Sequence, residues 1–510
     1  MSKLDFVRKL YNGKNCYSDH MGEDELQLLH ISSKVEDIIA EMVARGKIVF
    51  LTGNPGDGKT FIIKTIRARI SGSVYIQTDL NNIKDYSNIV RALITLYEQK
   101  KPAIVAVNEY PFIQLCKQIR GESKALYDEI QSAKRNVLAY DISSPLASNV
   151  AVVDLNERNM LGADYDLLSG LIDKMVCLLD DDAKYNSALK YNLTAFKNEF
   201  VREQILSLFQ LAASECEHFA IRDILGAFSF IFTACTTEAY SNSPYFTAIF
   251  EGTNELLKTL QQFDPILLSQ PSLDEALWNG KVTKGWIFSA PDHPPIEIED
   301  VDEAYARFQT IKRQYYFENL NGKRLVEFQP NEIKECAKIF TSFESQKKKI
   351  KGSLIRSLNK LFLPSSDDRK QLHIWTTHKY DMSQEAAVAV SSKAVDAADL
   401  EIQMPRPADW LSGLEYVPDH IILKPKNATI PKLVLNIDFL RTLNAVENGY
   451  PIGLLAPQYE QAAAMFLQQL DDDGFSEVNE DGEIIIASRN KSYKKTIHIQ
   501  NGKYDFEEEN

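Results

Sequence analysis

The chain has 510 residues, 44% of them apolar and 25% charged, with a net charge of −14. That length implies two to four domains and that composition a soluble globular protein, and the acidity argues against tight bulk-charge binding to nucleic acid while leaving protein partners and a local basic patch open. No apolar run is long enough to span a bilayer as a helix, Met1–Tyr11 lacks an apolar signal core, and six scattered cysteines form no CxxC pair, so the expectation is a cytoplasmic protein without a zinc site or disulfide framework.

The first element expected is a helix over 32–45. Ser33 and Glu36 have capping-box spacing, and Val35, Ile38, Ile39, Met42 and Val43 share a helical face. Lys47–Thr52 is a short apolar run of the kind found in buried parallel strands. A glycine-rich stretch interrupts it, and a helix resumes over Phe61–Ile70. Further strands are expected at Ser73–Ile76, Ala103–Val107 and Asn149–Leu155, separated by helical patterns. Such alternation implies βαβ units and a parallel sheet. Beyond it the pattern turns helical, with Val201–Leu211 and Ile221–Ala234 at helix spacing, until Phe263-Asp264-Pro265 stops it. Residues 266–300 read as a Pro-rich loop. Residues 301–385 read as mainly helical, with Ala304, Phe308, Ile311 and Tyr315 on one face. The remainder is mixed: strands at Leu433–Ile437, Gly482–Ser488 and Ser492–Ile499, a helix at Gln458–Leu470, and a frayed acidic end at Glu507-Glu508-Glu509.

Gly53-Asn54-Pro55-Gly56-Asp57-Gly58-Lys59-Thr60 matches G-x-x-x-x-G-K-[ST], between a strand and a helix. Glycines let backbone N–H groups curl around a phosphate, the helix start adds positive potential, Lys59 reaches the β- and γ-phosphates, and Thr60 offers a hydroxyl to Mg²⁺. After Ala103–Val107 stands Asn108-Glu109, where a metal-holding carboxylate and a catalytic Glu are expected. Asn108 accepts from a metal-bound water without supplying charge, and Glu109 is the candidate general base. Asn156, after the Asn149–Leu155 strand, is the candidate for orienting the attacking water, the sensor-1 role of AAA+-type ATPases. Arg158 is a lesser candidate for an arginine finger acting in trans. Arg222, opening a helix, is the candidate lid residue touching the γ-phosphate; its alternative is a salt bridge to Asp223 or Glu217. The cluster Lys347-Lys348-Lys349, Lys351, Arg356 and Lys360 is a possible DNA-backbone contact, although a solvated helix face is the plainer reading. His373 and His378 are spaced five apart, which makes no metal site. With no N-K-x-D motif, ATP is preferred to GTP.

These features predict an α/β fold: a P-loop NTPase (AAA+-like) parallel-sheet domain over 1–185, a helical lid over 186–290, a mainly helical region over 291–385, and a mixed α+β C-terminal domain over 386–510. The ordered set LTGNPGDGKT, VAVNEY, VVDLNERN, IRDILGAFSFI and LQQFDP, followed by KRQYYFE, HIWTTHKYD and LVLNIDFLRTL, resembles the DptF-type ATPases of bacterial DNA-phosphorothioation-dependent restriction and related anti-phage systems. Tyr110 departs from the small residue expected after Asn108-Glu109. The resemblance implies an ATPase subunit working with partners such as nuclease or helicase subunits, with DNA engaged through the complex or the 347–360 basic run. Two alternatives stay open: a nucleotide-dependent scaffold or switch with little turnover, and an AAA+ ring remodeller, a homo-oligomer.

Overall fold

The computed structural model describes the chain except residues 1–2, 12–21, 71, 81–82, 140–147, 163–166, 215–217, 235–242, 289–293, 329–330, 379–387, 480–481, 489–492, 501–502 and 510. The chain forms two compact units, one of residues 1–329 and 407–417, the other of 330–406 and 418–510. Residues 291–329 therefore belong to the first unit, and 330–385 to the second.

The first unit begins with α1 (Lys3–Lys9), α2 (Glu23–Leu29), α3 (Lys34–Ala44), β1 (Ile48–Thr52), α4 (Lys59–Arg67), β2 (Tyr75–Gln77), α5 (Ser87–Glu98), β3 (Ala103–Val107), α6 (Glu109–Glu122), α7 (Lys124–Arg135), β4 (Leu138–Ala139) and β5 (Val150–Asp154). A four-stranded sheet runs in the order β2-β3-β1-β5, and all its pairings are parallel. Every residue of β1, β3 and β5 is buried, which explains their unbroken apolar sequences. Helix α3 starts where the capping spacing places it, with Ser33 as a simple N-cap in place of the expected capping box. Ser33 Oγ accepts the Val35 N–H at 3.2 Å, whereas Glu36 is drawn to His30 Nε2 at 3.0 Å.

Helices α8 (Leu167–Leu179), α9 (Ser187–Lys197), α10 (Glu199–Ser214), α11 (Ile221–Thr233), α12 (Tyr245–Ala248), α13 (Glu255–Gln261), α14 (Pro271–Trp278) and α15 (Val301–Glu318) follow. They share a second core centred on residues such as Phe196, Phe209, Phe228 and Phe232. The expected loop over 266–300 is corrected by α14. Its Pro271 occupies a first-turn position, where a missing N–H costs nothing.

The second unit holds α16 (Asn331–Thr341), α17 (Phe343–Lys360), β6 (Gln371–His373), β7 (Thr376–His378), β8 (Val388–Ser391), β9 (Lys393–Asp396), β10 (Leu400–Gln403), β12 (His420–Pro425), β13 (Leu433–Asn436), α18 (Ile437–Glu447), α19 (Pro457–Asp472), β14 (Glu477–Val478), β15 (Ile484–Ser488), β16 (Tyr493–Gln500) and β17 (Lys503–Glu509), while the two-residue β11 (Arg406–Pro407) spans the point where the chain changes unit. Its sheets are β10-β12-β13, β14-β9-β6 and β17-β16-β15-β8-β7, with antiparallel pairings. The frayed acidic end is a second correction. Glu507, Glu508 and Glu509 pair with Thr496, Lys495 and Lys494, a ladder that satisfies backbone groups a free tail leaves to water. His373 and His378 lie on separate strands in different sheets. No helix among the described residues is long and apolar enough to cross a membrane.

Candidate functional site

At the carboxyl end of β1 the chain turns through Gly53–Gly58 and enters α4 at Lys59. Gly53, Gly56 and Gly58 have φ of 146°, 103° and 82°, values that side chains disfavour. Crowding is a second reason for glycine. A Cβ on Gly56 would lie 3.1 Å from Arg222 Cζ and 3.2 Å from Ala220 Cβ, and one on Gly58 would lie 3.3 Å from Ile221 Cγ2. The start of α11 therefore packs directly on the loop, and the Arg222 N–H donates to the Gly56 carbonyl at 3.3 Å.

Lys59 is buried, and its ammonium donates to the carbonyls of Gly53 at 2.8 Å and Asn54 at 2.7 Å. Burial pulls its pKa down to about 8, against the opposing pull of Asp57, Asp154 and Asp79. Asp57, 3% exposed, accepts the Asn54 N–H through Oδ2 at 2.6 Å. Its other oxygen, Oδ1, lies 2.8 Å from His218 Nε2. The sheet register sets Thr52 beside both Val107 and Asp154, so Asn108 and Asp154 flank the loop at strand ends.

A cavity of about 230 Å³ opens over the loop, far more than the roughly 10–15 Å³ that a single water needs by the same measure. Residues Pro55–Ile62 form one wall, and Asp79, Asn108, Arg158 and Arg222 supply polar groups. Leu29, Ile31, Met160, Leu171 and Leu225 make an apolar flank. The cavity thus pairs an anion-attracting end with a surface for a flat apolar group.

Of the residues expected from sequence, Pro55, Gly56, Asp57, Gly58, Lys59, Thr60, Asn108, Arg158 and Arg222 line this cavity together. Gly53 and Asn54 shape the loop behind it. Glu109 is the first residue of α6, exposed and outside the cavity lining. Asn156 sits in the 3-10 turn after β5, also outside the lining; its Oδ1 is buried with no partner among the described residues, as is Thr52 Oγ1. Arg158 is buried, and its Nε donates to Glu415 Oε2 at 2.7 Å. Ser33 Oγ donates to Glu415 Oε1 at 2.9 Å. Reaching a second subunit would break this buried pair, so the geometry turns Arg158 inward. Arg222 Nε stands 3.9 Å from Asp223 Oδ1; Glu217 lies outside the described residues.

Sequence reasoning missed the roles of His218, Glu415 and Asp79. Glu415 is 257 positions from Arg158, a separation no local pattern bridges, and His218 carries no spacing signal. Asp79 follows a short strand and was legible as a carboxylate at a strand end. The basic run is also less available than its composition suggests. Lys351 Nζ donates to the carbonyls of Ala397 and Leu400 at 2.5 and 2.8 Å. Arg356 and Lys360 both approach Glu447, at 2.7 and 3.5 Å. Lys347, Lys348 and Lys349 remain exposed.

Among the described residues, no group of three or more His, Cys, Asp or Glu side chains gathers to hold a metal. Oxygens of Thr60, Asn108 and Asp79 are among those lining the cavity, and oxygen ligands of this kind suit Mg²⁺ completed by phosphate and water. No protein-family model, no curated protein and no solved structure matches this chain.

Proposed function

We propose that the first unit binds ATP on the Gly53–Thr60 loop and hydrolyses it, as the P-loop ATPase subunit of a bacterial DNA restriction or anti-phage complex. One observation carries the nucleotide reading: a glycine loop at positive φ joins a central parallel strand to a helix whose first residue is the buried Lys59. Backbone N–H groups and the start of α4 attract the phosphates. Lys59, already turned onto the loop carbonyls, exchanges them for phosphate oxygens. The apolar flank takes the base. Thr60, with Asn108 beyond it, would hold Mg²⁺, which neutralises phosphate charge when bound. Arg222 adds a guanidinium at the same end, and its backbone bond to Gly56 ties α11 to the loop. Glu109 and Asn156 remain the candidates for activating and orienting water. The defence assignment rests on the ordered motifs that resemble the DptF-type ATPases, as do nuclease or helicase partners.

A second reading, a nucleotide-dependent scaffold with little turnover, is favoured by two features. Asn108 has no charge, and Glu109 lies outside the cavity lining. Steady-state phosphate release separates the readings. The ATPase reading expects turnover that Lys59→Ala abolishes and Glu109→Gln reduces with ATP retained. Turnover equal in all three proteins contradicts it, and bound ATP without turnover in the wild type selects the scaffold.

A further inference from the structure

His218 lies in the segment between α10 and α11. Both its ring nitrogens face acceptors: Nδ1 is 3.1 Å from the Arg158 carbonyl, and Nε2 is 2.8 Å from Asp57 Oδ1. A carbonyl and a carboxylate accept but do not donate. A neutral imidazole has only one N–H, so both contacts are hydrogen bonds only when the ring carries two protons. The charged groups around the ring agree. Asp57 meets it from the loop and Asp154 from the end of β5. The Arg158 guanidinium is paired with Glu415, and Lys59 is held by the Gly53 and Asn54 carbonyls.

Asp57 would otherwise be a liability. It is a buried carboxylate on the wall of a cavity read as taking a triphosphate. We propose that His218 is a positioning residue for that site: as an imidazolium it clamps and neutralises Asp57, so the loop keeps its curl while presenting no net negative charge to an incoming polyphosphate. The inference rests on the nucleotide reading above. Asp57 performs both tasks, since its second oxygen holds the Asn54 N–H. Burial alone lowers the pKa of His218, but the hydrogen bond to Asp57, the charges of Asp57 and Asp154, and the Arg158 carbonyl raise it above its ordinary value. The clamp is therefore present at lower pH and is lost as pH rises through that raised value, with polyphosphate affinity falling in step.

Isothermal calorimetry of Mg-ATP on the full chain tests this with wild type, His218→Gln, Asp57→Asn and the double variant. His218→Gln is expected to weaken binding about tenfold, in line with loss of one charge-assisted hydrogen bond. In the Asp57→Asn background, the same substitution is expected to change affinity less than threefold. An equal loss in both backgrounds overturns the clamp. A variant-independent arm compares ATP affinity of the wild type from pH 6 to pH 9. Because Lys59 titrates near 8, the pH profile of His218→Gln supplies its share, and the clamp requires the wild type to fall more steeply than that variant. Superimposable slopes overturn it. Absence of any wild-type binding contradicts the nucleotide reading instead, so the two failures are distinguishable.

Discussion

The Lys59 ammonium sits at the point where strand, loop and helix meet, bonded to two carbonyls of the loop it would leave for a phosphate. Removing it deletes a charged partner for the ligand and leaves those carbonyls unpaired. Lys59→Ala is expected to weaken Mg-ATP binding by about 1.5–3 kcal/mol, roughly 10- to 150-fold, in the same calorimetric titration. Gly56→Ala meets two obstacles, a φ of 103° and the packing of Ala220 and Arg222. It should cost about 1–3 kcal/mol, read as a lower midpoint in thermal unfolding together with weaker ATP binding. Arg158 and Glu415 are 6% and 8% exposed in their side chains, so breaking the pair strands a buried charge. Arg158→Ala is expected to destabilise the protein by about 3–5 kcal/mol, and Arg158→Met combined with Glu415→Leu to recover most of that. Denaturant unfolding checks both; a loss below 1 kcal/mol for Arg158→Ala would contradict the account.

Among elements, the buried strands were the most legible. Ala103–Val107 runs between the bounds its apolar residues suggest, because a strand covered on both faces needs an unbroken apolar run. Helix α14 was not legible, since Pro271 reads as a breaker unless it is known to occupy a first-turn position. The acidic end was misread for a related reason: three glutamates look solvated, and only the register with β16 reveals a paired strand. The segment 407–417 was invisible as part of the first unit. It places Leu411 and Leu414 in the core beneath the sheet. Leu411 is fully buried, and Leu411→Ala is expected to cost about 2–5 kcal/mol, measured by the midpoint of denaturant unfolding.

Across the whole molecule, the chain passes between its two units after Gln329, Arg406 and Val417, an organisation that linear segmentation at 185, 290 and 385 does not describe. The motif residues of the candidate site were readable because one short loop carries most of them. Residues that support the loop come from distant positions, as His218 and Glu415 do, and only folding brings them near. Bulk composition was likewise a poor guide to the basic run. With Lys351, Arg356 and Lys360 engaged internally, the exposed Lys347–Lys349 alone give a salt dependence of DNA binding no steeper than about −3 in log–log slope. A steeper slope in filter binding would point to a basic surface elsewhere.

The central claim is that the loop between β1 and α4 grips a triphosphate. Titration of the intact, folded protein with Mg-ATP in a calorimeter tests it most directly. The account predicts association that Lys59→Ala weakens by at least tenfold; no heat of binding at millimolar ATP, or equal affinity in both proteins, would contradict it.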